Sequence, residues 1–202
     1  TASGGDEVQR VVALVLEHAV ERPGESLGVI AFGVRHARRI EAALDQALAD
    51  MDVADREGLE KFFDPSSEER FFVKNLERVQ GDERSSIILS VGYAKDRGGN
   101  LPHRFGPLTQ EGGYRRFNVA VSRARRHMTV VSSFSWRDVD LSRSSARGVK
   151  FLKDFLRYAE TGGEVLTDGE FTQEPMNPWE LEVYDRLQEA GLELIPQYGT
   201  SG

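Results

Sequence analysis

No cysteine occurs among the 202 residues. Its absence excludes disulfide scaffolds, thiolate zinc sites, iron–sulfur clusters and cysteine nucleophiles together. Long apolar runs are missing too. None approaches the roughly 18–20 residues that cross a bilayer, and Thr1-Ala2-Ser3-Gly4-Gly5 is not a signal peptide. These absences predict a cytoplasmic protein with no membrane partner. No Gly-x-x-x-x-Gly-Lys-Ser/Thr run occurs, so no loop of this chain is expected to cradle β- and γ-phosphates. The four histidines stand at no metal-ligand spacing, and no metal site is expected. Cations are outnumbered, 26 Lys and Arg against 33 Asp and Glu, for a net charge of −7. That balance argues against a general nucleic-acid coat. It leaves room for a local basic groove, because binding follows the local field rather than the total.

Apolar residues suffice for a core, at 39% of a length that suits one domain and a fragment of another. Asp6 is placed to cap a helix in which Val8, Val11, Val12, Val15, Leu16 and Ala19 recur at helical spacing. Pro23-Gly24 ends it. The apolar run 27–32 predicts a buried strand. A second amphipathic helix follows over 35–48, with Ile40, Ala43, Leu44 and Ala47 on one face. The charged stretch 51–69 predicts one short helix around Leu59, Phe62 and Phe63. Strands are predicted at 71–75, 87–92 and 128–132, and helices at 114–125 and 144–160. Between them, 94–113 is a long loop, and long ordered loops are usually functional. Strands alternating with helices predict an α/β fold, a mainly parallel sheet flanked by helices.

The densest local signal is Arg115-Arg116-Phe117-Asn118-Val119-Ala120-Val121-Ser122-Arg123-Ala124-Arg125-Arg126. Its pattern places five arginines on one short helix as a positive rim, and guanidinium donors suit phosphate oxygens. A solvated basic face has the same spacing. The stretch from Asn118 to Arg125, followed by an apolar strand, resembles motif VI of superfamily 1 helicases. Val79-Gln80-Gly81-Asp82-Glu83, running into Ile87-Ile88-Leu89-Ser90, resembles their motif V. Leu27-Gly28-Val29-Ile30-Ala31-Phe32 and the helix after it resemble motif IV. The three motifs keep the family's order and spacing. On them, residues 1–160 resemble the second, C-terminal RecA-like domain of a Upf-like helicase, a fold of the P-loop NTPase class.

That resemblance implies the motor domain of an ATP-dependent DNA or RNA helicase or translocase. ATP and Mg2+ would bind mainly to a first, N-terminal RecA-like domain of the same parent chain, and the track would be single-stranded DNA or RNA. Arg123 would be the arginine finger on the γ-phosphate, and Glu83 would couple that phosphate to domain closure. Gln80, Gly81 and Arg126 are nucleotide-binding candidates, with Gly81 letting backbone approach closely. Arg125 and Arg126 are equally open to structural roles. Motif IV implies nucleic-acid contacts at Phe32 and Arg35, past the carboxyl end of a strand. Gly33-Val34 departs from the polar or aromatic pair often found there, and Phe32 also suits the core. Lys95 and Arg104, with Arg97 and His103, make the long loop a second nucleic-acid candidate. Asp6-Glu7-Val8-Gln9 imitates the acidic magnesium motif, but no apolar strand precedes it, and an N-terminal helix cap explains both acids. A non-catalytic RecA-like docking module for nucleic acid or protein is the alternative.

The polar stretch 161–177 has no period and reads as a linker. After it, Pro178-Trp179-Glu180 opens a helix that Gly191 stops, and Leu192-Glu193-Leu194-Ile195 begins a strand. Residues 178–202 resemble the opening of a very-short-patch-repair-like nuclease domain, of restriction-endonuclease-like fold, with Glu180 at the periphery of its metal site. One helix and one strand cannot bury their apolar faces alone. The sequence therefore predicts a truncated helix–strand unit and a longer parent protein, in which the resemblance implies a DNA endonuclease domain.

Overall fold

The computed structural model describes residues 3–102 and 104–162. Four strands form one sheet: β1 (Leu27–Ala31), β2 (Phe72–Asn75), β3 (Arg84–Ser90) and β4 (Ala124–Val131), in the order β2-β1-β3-β4. Every pair is parallel, with Gly28 opposite Phe72, Leu27 opposite Ser86 and Ile87 opposite Met128. All four strands therefore begin at one edge of the sheet and end at the other, and this places every site residue discussed below.

Strand side chains alternate between faces, and the core follows that alternation. Leu27, Val29, Ala31 and Ile88 pack with Val8, Val11, Val12 and Val15 of α1 (Ser3–Glu21) and with Ala37, Ile40 and Leu44 of α2 (Val34–Ala49). Ile30, Phe32, Ile87 and Leu89 face the other way, onto Phe117 and Ala120 of α4 (Gly113–Val121) and Val149, Leu152 and Leu156 of α5 (Arg147–Glu160). A sheet covered on both faces reads in sequence as continuous apolar runs, which is why 27–32 was legible as a strand. Phe117 is fully buried, with its ring edge-on to Phe32, Phe151 and Phe155 at 5.2–5.3 Å. Deleting such a ring costs about 3–5 kcal/mol. The result is an α/β fold with a four-stranded parallel sheet flanked by helices, as in a RecA-like domain.

Among the described residues the expected elements are present, with shifted ends. The short helix of the charged stretch, α3, spans Val53–Leu59. The loop after β3 contains a 3-10 turn, Gly106–Thr109, that seats Leu108 in the core. One boundary is overturned. The helix predicted over 114–125 stops at Val121, and Arg125 and Arg126 lie on β4. Parallel pairing with β3, Arg84 opposite Ala124 and Ser86 opposite His127, draws these residues into the sheet. β4 is an edge strand, where charged side chains remain in water.

The chain divides after Gly162. The expected linker beyond that residue, the helix–strand unit at 178–202 with Glu180, and His103 lie outside the described residues. Among the described residues, no helix is long and apolar enough to cross a membrane.

Candidate functional site

The two segments that resemble motifs V and VI meet at the edge where the strands begin. The backbone N–H of Arg84, the first residue of β3, donates to the carbonyl of Arg123, just before β4, at 3.1 Å. That bond sets Glu83 beside Arg123, and the two side chains form an ion pair at 3.7 Å. Arg123 Nε donates to the Val119 carbonyl at 2.9 Å, and Nη2 reaches Ser122 Oγ at 3.2 Å. The end of α4 therefore orients the guanidinium, while its hold on Glu83 is loose and the Glu83 side chain is half exposed. A cation with a fixed base and a weakly held tip can exchange its carboxylate for another anion.

Gln80 and Gly81 occupy the turn that leads into β3 from Val79, which is itself buried in the core. Asp82 N–H donates to the Val79 carbonyl at 3.3 Å, and Gly81 has φ +86°. That positive φ at the third position is what a type II turn requires, so glycine serves the backbone here. Among the described residues, no atom beyond its chain neighbours lies within 4 Å of where a Gly81 Cβ would project. The surface beside it is therefore open. Asp82 is fastened to Lys74 of β2 at 2.5 Å, and buried Arg84 donates to the Arg70 carbonyl through Nε at 3.0 Å and Nη2 at 2.8 Å.

The five arginines of the dense segment do not share one face. Arg115 and Arg116 lie in the first turn of α4, Arg123 follows that helix, and Arg125 and Arg126 belong to β4. Arg125 grips Glu69 with two parallel bonds of 2.6 Å and touches Ser26 Oγ at 3.2 Å and Ser85 Oγ at 3.3 Å. The Arg125 hydrogen bond, followed by that of Ser26, holds the Glu69 carboxyl at about 2, against an ordinary 4.5. Arg125 thus ties the approaches to β1 and β2 to the starts of β3 and β4. Arg126 is the most exposed of the three and pairs with Glu25 at 3.7 Å. No sequence signal marked Glu69, because its partner lies 56 positions away.

The nucleic-acid candidates sit at the opposite edge and differ among themselves. Phe32 has no exposed surface, and its ring packs against Phe117 and Tyr93. Its ring belongs to the core, since the strand's alternation turns it onto α4, and it offers nothing to a ligand. Arg35 and Arg104 are exposed. Lys95 is half-buried and paired with Asp138 at 2.7 Å.

Glu7 departs from its expected role as a capping acid. α1 starts at Ser3, and Glu7 is buried one turn before Val11, on the apolar stripe. Its Oε1 accepts from Ser90 Oγ at 2.8 Å and from the Gly92 N–H at 2.7 Å. With the serine proton committed to Glu7, His36 Nε2 donates to Ser90 Oγ at 2.7 Å. The His36 ring lies so close to Gly92 (φ +72°) that a Cβ there would approach it to 2.4 Å. This buried relay pins the base of the loop that carries Lys95 and Arg104 to both α1 and α2. The signal in the sequence was the four-residue step from Glu7 to Val11.

Comparison with known proteins gives two relatives. The chain is 37% identical over 155 residues to the uncharacterized ATP-dependent helicase MG140 of Mycoplasma genitalium, an alignment covering 77% of this chain and 13% of that protein. It is 34% identical over 190 residues to the MG140 homolog of Mycoplasma pneumoniae, covering 90% of this chain and 16% of that protein. The chain thus spans less than a fifth of the length of either relative. A model of the AAA domain family matches residues 4–135, which include β1 to β4, Gln80, Glu83 and Arg123. On that match, this chain belongs to the AAA domain family.

Proposed function

We propose that this chain is the second RecA-like motor domain of a superfamily 1, Upf-like, ATP-dependent helicase. Its nucleotide cleft is completed by a first RecA-like domain of the same parent, which binds most of the ATP and its Mg2+. The observation that carries the proposal is the meeting of Glu83 and Arg123, from segments about forty positions apart, where β3 and β4 begin. A forked donor that leaves Glu83 for a γ-phosphate oxygen neutralises charge developing there. Glu83, released, is free to couple that phosphate to closure of the cleft. Gln80 and Gly81 present an open turn to the same cleft, and Arg126 can reach it from the rim. Arg35, Lys95 and Arg104 form the opposite edge, which receives single-stranded DNA or RNA. The names of the two relatives, both ATP-dependent helicases, support this reading. The proposal extends to a cytoplasmic parent with domains at 1–160, a linker at 161–177, and a nuclease-like unit beginning at 178 with Glu180.

The test uses the parent protein that carries this domain. Arg123→Ala should lower the ATPase kcat about 10³-fold or more, as loss of an arginine finger does, with nucleic-acid affinity in the absence of nucleotide unchanged. An unaltered kcat would reject the finger and favour a docking module.

A further inference from the structure

On α4 and α5, cations collect around one ring. The Arg147 guanidinium lies 4.5 Å from the centroid of the Tyr114 ring, and Arg115 lies 5.6 Å from it while donating from Nε to the Tyr114 hydroxyl at 2.9 Å. Lys150 follows Arg147 by one turn of α5 and is exposed. The two helix starts are neighbours because Gly113 and Gly148 both seat against the Leu108 carbonyl, where a Cβ on either would approach it to 2.7 and 2.4 Å. Neither helix has an acid in its first turn, and neither has a side-chain cap. Cations in a first turn oppose the helix dipole, so stability of the helices does not explain them. Among the described residues, Glu111 is an acid whose charge reaches Arg115. On an acidic protein, this leaves a local positive field set around an aromatic plane.

Aromatic rings and guanidinium planes stack unpaired bases, while neighbouring cations hold the phosphates between them. Resting on the helicase reading above, we propose that Tyr114, Arg115, Arg147 and Lys150 form a contact for single-stranded nucleic acid. The layered Tyr114 ring and Arg147 guanidinium stack one base, and Arg115 and Lys150 take the flanking phosphates. α4 ends where β4 begins, so its first turn points toward the edge where the strands end. The cluster therefore lies toward the same end of the sheet as Arg35, Lys95 and Arg104, and adds a means of gripping bases.

The experiment measures fluorescence anisotropy of the full 202-residue chain with a labelled thymidine oligomer and an abasic oligomer, each of about 15 nucleotides, over a range of salt. Tyr114→Leu should weaken thymidine binding about 5- to 100-fold and leave the abasic oligomer nearly unaffected. Tyr114→Phe, which keeps the ring, should bind thymidine close to wild type and serves as the variant that preserves packing. Arg147→Gln with Lys150→Gln should weaken both oligomers and flatten the salt slope by about one to two. Equal losses of both oligomers in Tyr114→Leu would overturn base stacking. If only Arg35→Gln and Arg104→Gln lose binding, the cluster falls and the helicase reading stands. If the wild-type chain binds neither oligomer, the cluster falls together with the nucleic-acid part of that reading, while the arginine finger keeps its own test.

Discussion

Where the strands begin, Arg123, Arg125 and Arg126 face Glu83, Glu69 and Glu25, and Lys74 faces Asp82. Where they end, Arg115 and Arg147 lie against the Tyr114 ring, Arg35, Arg104 and Lys150 are exposed, and Lys95 has a carboxylate partner in Asp138. At the first edge the three arginines are held by carboxylates that stitch the strand starts together. At the second, Arg115 and Arg147 have an aromatic ring as their partner. An internally paired cation suits a ligand that arrives for one step and must leave again, since the resting partner takes the cation back. A cation with no resident carboxylate suits a polyanion that stays bound while the protein moves along it. The same residue type is thus set for two uses by what stands opposite it.

The largest expected effect separates the forked donor from bare charge at the first edge. Arg123→Lys keeps the charge but not the planar fork, and kcat of the parent should stay about 10²-fold or more below wild type. Recovery to near wild type in steady-state ATPase would show that charge alone suffices and would erase the distinction between Arg123 and its neighbours. The next effect tests whether the second edge depends on its buried anchor. Glu7→Ala leaves the Gly92 N–H and the Ser90 hydroxyl without their acceptor, at about 1–3 kcal/mol for each orphaned group. Urea unfolding should show that loss, and Glu7→Gln, which keeps one carbonyl oxygen, should show less. Equal stability of Glu7→Ala and wild type would mean that the relay holds nothing.

The smallest effect is a pH dependence at Glu69. Its folded value of about 2 lies below the ordinary 4.5, so the unfolded chain binds this proton more readily. The stability it contributes is complete above about pH 4.5 and is lost as pH falls toward 2. The pair is substantially exposed, so its worth is under about 1 kcal/mol and shrinks with salt. Glu69→Gln should flatten the acid limb of a urea-midpoint curve between those values. Parallel curves for variant and wild type would show that Arg125 gains nothing from its carboxylate.

What was legible in the sequence follows from what is local. Residues 27–32 and 87–90 announced themselves as strands because burial on both faces leaves no polar alternation to misread. The end of α4 was not legible. Residues 122–125 continue a helical pattern, and the register against Arg84 and Ser86, some forty positions earlier, draws the chain from Ala124 onward into a strand. Glu83 and Arg123 were each singled out by the resemblance, though not their pairing, whereas Glu69 beside Arg125 lies outside the resembling segments. Phe32 illustrates the converse. Its position at a strand's carboxyl end suggested a ligand, but its place in the alternation decides which way the ring points, and that is inward.

The Glu7 carboxylate bears on where this protein can be cut. A chain trimmed to start at Val8 would keep every apolar residue of the α1 stripe and would look intact on hydrophobicity alone. It would nevertheless lose the acceptor that fastens Gly92 and Ser90, and with it the root of the glycine-bearing loop that follows. Trypsin reads such loosening directly, since Lys95 and Arg97 stand just past that root. Nicking there should quicken in the trimmed chain well before the sheet itself melts.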